Sequence, residues 1–254
     1  MKLYPICINT FRETVRDRIL YSLLAFALLM IGSTVYLATL TIAEHVKLVT
    51  DFGLAAISLF GVIVAIFVGI GLVFKELDKR TIYTVLSKPI PRYEFVLGKY
   101  LGLLLTLLVN LTIMATGFIL VLKLFGDVLT PSLFWAIYFI YLELMVITAL
   151  TIFFSSFTTP TLSAMFTLGL FVIGHLSLDL KLLGAKSESL MVRYLSKLIY
   201  YSLPNLENFN LKGVVVYQMS VSPEKILLVT GYGLLYVMVL LVLAMVIFQK
   251  RDFK

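Results

Sequence analysis

Residues 52–74 read FGLAAISLFGVIVAIFVGIGLVF and carry no charged side chain. As a helix this run is about 35 Å long, enough to cross the ~30 Å hydrocarbon core of a bilayer. It stops at Lys75-Glu76, where charge returns abruptly. Five more runs of the same kind lie on either side, at about 19–42, 99–122, 132–154, 161–178 and 226–248. They are continuous rather than alternating, which selects helices over the strands of a β-barrel. Composition agrees. Of 254 residues, 61% are hydrophobic and 14% charged, with a mean hydropathy of +1.03. That excludes a soluble globular domain and a disordered chain.

The expected architecture is therefore an all-α integral membrane protein of six transmembrane helices, a single transmembrane domain over 1–254. Lys and Arg fix its expected orientation. With both termini in the cytoplasm, thirteen fall on the inner side and two, Lys47 and Lys123, in the short outer connections. Six lie in the long fifth connection, and long loops cross largely regardless of charge. The net charge of +7 thus reads as topology, not as nucleic-acid binding. The first apolar run is longer than a signal-peptide core, so it is expected to remain as a span.

Three segments between the spans carry a pattern of their own. Over about 5–18, Ile8, Phe11, Val15 and Ile19 make one helical stripe, opposite Asn9, Arg12, Glu13, Arg16 and Asp17. Such a helix lies in the membrane interface. Over about 188–202, Met191, Tyr194, Leu195, Leu198 and Tyr201 share a face. This helix is expected to lie on the outer leaflet or to cap the spans. After the second span, Glu76, Arg80, Tyr83 and Ser87 form one face of a short helix and Ile82, Val85 and Leu86 the other. Pro89 and Pro91 then break it before a new helix begins near Arg92.

The pattern Glu76…Thr81…Leu86-Ser87-x-Pro89-x-x-Arg92…Gly98-Lys99 resembles the type-2 ATP-binding-cassette (ABC-2) permeases. The N-terminal amphipathic helix, six spans and long fifth connection are similar too. The resemblance covers essentially the whole chain. It implies an exporter permease in the cytoplasmic membrane, as a homodimer or a heterodimer with a second permease. A separate ABC ATPase subunit would dock on the cytoplasmic helix, with Glu76, Arg80, Thr81, Tyr83, Ser87, Pro89 and Arg92 as the coupling residues.

No cofactor is expected in this chain, and ATP is expected to enter through the partner. The phosphate loop needs G-x-x-x-x-G-K-[ST]. At Gly98-Lys99, Tyr93 stands in place of the first Gly and Tyr100 follows the Lys. H-E-x-x-H and G-x-S-x-G are absent, and with one cysteine and two histidines no metal cluster is expected. The chain therefore reads as a non-enzyme, with membrane lipid as its other partner. The alternative class is a stand-alone membrane protein, a proton-coupled carrier or an assembly factor.

Glu143 is the one acidic residue deep within a span. A charge there costs at least ~2.5 kcal/mol, so the carboxyl should face protein or water. Two readings stand. It either serves gating or substrate contact along a dimer seam, or is a buried carboxyl hydrogen-bonded to another helix, with Asn110 or a Tyr as partner. His175 and Asp179, four residues apart, form either a proton relay or a satisfied interfacial pair. Gly61, Ala65 and Gly69 make a small-residue ridge that lets another helix approach.

Overall fold

The computed structural model describes residues 3–39, 45–78, 91–125 and 130–250. Helix α1 (Leu3–Val15) turns at Arg16-Asp17 into α2 (Arg18–Thr39). The Asp17 carboxylate accepts a hydrogen bond from the Ile19 N–H at 3.0 Å and so caps the new helix. There follow α3 (His45–Asp78), α4 (Arg92–Leu124), α5 (Pro131–Ser155) and α6 (Pro160–Lys186). The long connection holds α7 (Leu190–Ser202), a 3-10 turn (Leu206–Phe209) and the short α8 (Lys212–Val216). The last helix is α9 (Pro223–Lys250). Among the described residues, six helices (α2, α3, α4, α5, α6 and α9) are long and apolar enough to cross a membrane.

Helix α5 is the axis of the bundle. It is apolar all round, the composition of a helix with no solvent face. It packs against α3, α4, α6 and α9, and also against the 3-10 turn and α8. Burial follows: 67% of its most apolar window is buried and 72% of that of α3, against 22% for α2 and for α6 and 28% for α9.

Small residues set the closest approach. A Cβ on Gly61 would lie 2.9 Å from Leu144, and one on Gly69 3.0 Å from Thr151. Ala65 between them is buried. The ridge read from the sequence is the seam between α3 and α5.

Hydroxyls within the spans are satisfied locally. Thr106, Thr148, Thr151 and Thr167 each donate to the carbonyl four residues back, at 2.7–3.0 Å. With no water in the hydrocarbon region, this disposes of each O–H at little cost. Tyrosines instead bridge helices. Tyr141 donates to the Leu104 carbonyl at 3.2 Å and Tyr100 to that of Met145 at 3.3 Å, both between α4 and α5. Pro131 and Pro160 each occupy a first helical turn, where a missing N–H costs nothing. Between these helices, Ser155 and Ser163 hydroxyls meet at 2.9 Å and pin the tight α5–α6 hairpin.

Helix α7 is amphipathic, but its apolar stripe is not what packs. Ser196 is buried against Gly184 of α6, whereas Met191, Tyr194, Leu198 and Tyr201 are exposed. Two small residues allow the helix to lie flat on α6. Lys181 sits 3.8 Å above the Tyr200 ring and holds the same junction.

Candidate functional site: the coupling corner and a buried polar cluster

Of the seven residues expected to couple to an ATPase, Arg80, Thr81, Tyr83, Ser87 and Pro89 lie outside the described residues. Glu76 falls in the last turn of α3, and Arg92 opens α4. Pro91 precedes it in extended conformation, φ −65° and ψ 139°, as the N-cap of α4.

The start of α4 is gripped by α1. Gly98 and Gly102 lie one turn apart and present a bare strip of backbone to it. A Cβ on Gly98 would meet Ile6 at 2.7 Å; one on Gly102 would meet Thr10 at 2.5 Å and the Cys7 carbonyl at 2.7 Å. Beside this strip, the Lys99 ammonium lies 3.8 Å from the Glu13 carboxylate and 5.8 Å over the Phe95 ring. Phe95 in turn stacks on Phe248 of α9, centroids 5.9 Å apart. Burial pushes the Cys7 thiol pKa up from its ordinary value. Helix α1, the foot of α4 and the end of α9 thus form one packed unit.

The second constellation centres on Glu143, which is 3% exposed. Its Oε2 accepts a hydrogen bond from Ser58 of α3 at 3.4 Å, and its Oε1 lies 3.4 Å from Nε2 of His175 on α6. These partners correct the sequence reading, which looked to Asn110 or a tyrosine. Asn110 is buried elsewhere, and Tyr100 and Tyr141 spend their hydroxyls on backbone carbonyls. The expected His175–Asp179 pair is corrected as well. His175 Nδ1 sits 3.2 Å from the Phe171 carbonyl and Nε2 lies 3.4 Å from Glu143 Oε1, while Asp179 is exposed.

The long connection folds back over this cluster, a feature that sequence reasoning missed. Leu206, Phe209 and Leu211 are fully buried, and Leu206 and the Pro204 carbonyl rest on Gly174. The signal was present in the apolar residues Leu206, Phe209 and Leu211, set among polar neighbours over 205–212. Tyr232 of α9 accepts from the Asn205 N–H at 2.8 Å and ties the segment down from the other side. No group of three or more metal-ligating side chains occurs among the described residues.

A family model described as "ABC-2 family transporter protein" matches residues 4–253. No curated protein matches the chain.

Proposed function

From the premise that this chain belongs to the ABC-2 transporter family, we propose that it is the permease subunit of an ATP-driven exporter. It sits in the cytoplasmic membrane with both termini inside, and pairs with a second copy or a second permease. A separate ABC ATPase supplies ATP hydrolysis and docks on the corner at 76–92. The observation that carries this reading is the grip of α1 on the foot of α4. A push on the corner enters α4 at Arg92 and meets the Gly98–Gly102 strip within three turns. It passes to the central α5 through the two tyrosine bonds. Packed helices transmit such displacements as rigid bodies rather than absorbing them.

The test is to purify the tagged chain in mild detergent and identify what accompanies it. An ABC ATPase is expected. Reversing the charges at Glu76 and Arg80 together should preserve insertion and lower that co-purification. Recovery of the intact chain without any ATPase would overturn the proposal. A second reading, a proton-coupled carrier, draws on the Glu143–His175 pair. Transport driven by a pH gradient in vesicles lacking ATP would favour it.

A further inference from the structure

Helix α1 divides into three sides. Ile6, Cys7 and Thr10 meet α4 at Gly98 and Gly102, and Thr14, buried one turn further on, continues that side. Tyr4, Ile8, Phe11 and Val15, three and four residues apart, form a second, apolar side. The packing on α4 leaves it in part uncovered: Tyr4 is 75% exposed and the other three are half-buried. Arg12 and Arg16 make the third side, and both are exposed. Each follows a buried threonine by two residues, which turns it about 160° from the packed side and sets it beside the apolar one.

The acidic residues nearby are engaged elsewhere. Glu13 faces Lys99 at 3.8 Å, and Asp17 caps α2 through the Ile19 N–H. Arg12, Arg16 and Arg18 form no ion pair among the described residues. Positive charge without a protein partner therefore runs along the edge of an apolar surface. Two neighbours set the depth of that surface. Only Arg16-Asp17 separate α1 from α2, which is apolar enough to span from Arg18 onward. Gly98 and Gly102 lie where the charged foot of α4 gives way to its apolar run. Both place α1 at the rim of the spans, level with lipid headgroups.

We propose that α1 carries a binding surface for anionic phospholipids of the leaflet at which α2 begins. Tyr4, Ile8, Phe11 and Val15 lie against the acyl chains. Arg12 and Arg16 run their stems along the same surface and place their guanidinium groups on the phosphates. A zwitterionic lipid offers the same phosphate but adds an ammonium that offsets it, so the surface selects lipids of net negative charge. The inference holds whichever way the chain is oriented and whatever it transports.

The full chain with Trp135→Phe and Tyr4→Trp has a single tryptophan, on the apolar side of α1. It is reconstituted in phosphatidylcholine bilayers containing a minor fraction of chain-brominated lipid, either phosphatidylglycerol or phosphatidylcholine. Bromine quenches the tryptophan on contact, so quenching reads the local lipid. At low salt, brominated phosphatidylglycerol should quench like brominated phosphatidylcholine at about five times its bulk fraction. Salt at about 1 M, which shortens the screening length to about 3 Å, should remove most of that factor. Arg12→Gln/Arg16→Gln should lose most of it as well. Arg193→Gln/Lys197→Gln, which removes as much exposed charge from α7, should keep it. Should the Arg12/Arg16 double variant fail to fold, each single substitution must lower the factor. Equal quenching by the two lipids in the parent, or a factor unchanged without Arg12 and Arg16, overturns the proposal. Quenching by neither lipid overturns it too, since the apolar side would then lie outside the membrane.

Discussion

Glu13 and Lys99 meet at 3.8 Å across the junction of α1 and α4, with the lysine buried and the glutamate a third exposed. The pair stands beside the Gly98–Gly102 strip, and the two features differ in weight. An ion pair with one partner in solvent contributes ~0–1 kcal/mol. Overpacking a close backbone contact costs about 1–3 kcal/mol. Glu13→Gln should therefore barely lower the thermal stability of the purified chain, and Gly102→Ala should lower it clearly. Equal effects would show that charge, not packing, holds α1.

Cys7 reports on the same junction. Burial raises its thiol pKa, so the reactive thiolate is scarce at neutral pH. Alkylation should be slow and its pH midpoint higher than that of free cysteine. Gly102→Ala, which pushes on the Cys7 carbonyl, should speed labelling at neutral pH. A Cys7 that reacts like free cysteine in the parent would contradict the docking of α1.

At Glu143, an amide can donate to His175 Nε2 and still accept from Ser58. Glu143→Gln should keep the fold nearly unperturbed. Glu143→Leu should cost ~1–2 kcal/mol, the scale of interhelical hydrogen bonds in membranes. Thermal unfolding in detergent decides between them, and a Leu variant as stable as the Gln variant would remove the carboxyl from the packing account.

Gln218, two residues beyond α8, has φ 52°, the left-handed region that disfavours side chains. Gln218→Gly relieves this and should stabilise the chain by about 1 kcal/mol. A lower melting temperature would mean that the glutamine side chain makes a contact worth more than the strain.

Topology is open to labelling. With Cys7→Ser, a cysteine at Ser187 should react with an impermeant thiol reagent from outside, and one at Ser87 should not. The reverse pattern would invert the proposed orientation.

The six spans were legible because each is a long, predominantly apolar run, and the bilayer demands little else of a sequence. Their ends were less so. The second was expected from 52, but α3 starts at His45, since Val46, Leu48 and Val49 continue the apolar face beyond Asp51. The fifth was expected to stop at 178, but α6 runs to Lys186, with Lys181 accommodated over Tyr200. Glu143 stood out as a lone acid, yet its partners did not. Ser58 is 85 residues away, and α5 is apolar on every side, so no periodicity tells which residue faces which neighbour. The local spacing offered His175 to Asp179; the rotation of α6 against α5, a tertiary fact, gave it to Glu143.

The unequal burial of the spans bears on how this sequence can drift. A position on α2 or α9 that faces outward, such as Leu29 or Met238, meets only a medium as fluid and as apolar as itself. Leu, Ile, Val, Met and Phe are nearly synonymous there. On α5, Phe139, Val146 and Ile147 are enclosed by other helices, and a change of one methylene must be absorbed by a neighbour. A saturating library of α5 should return few viable alternatives and one of α2 many. Where a tolerant span turns out intolerant, the strip of positions that resists change will trace the footprint of whatever second chain rests on it.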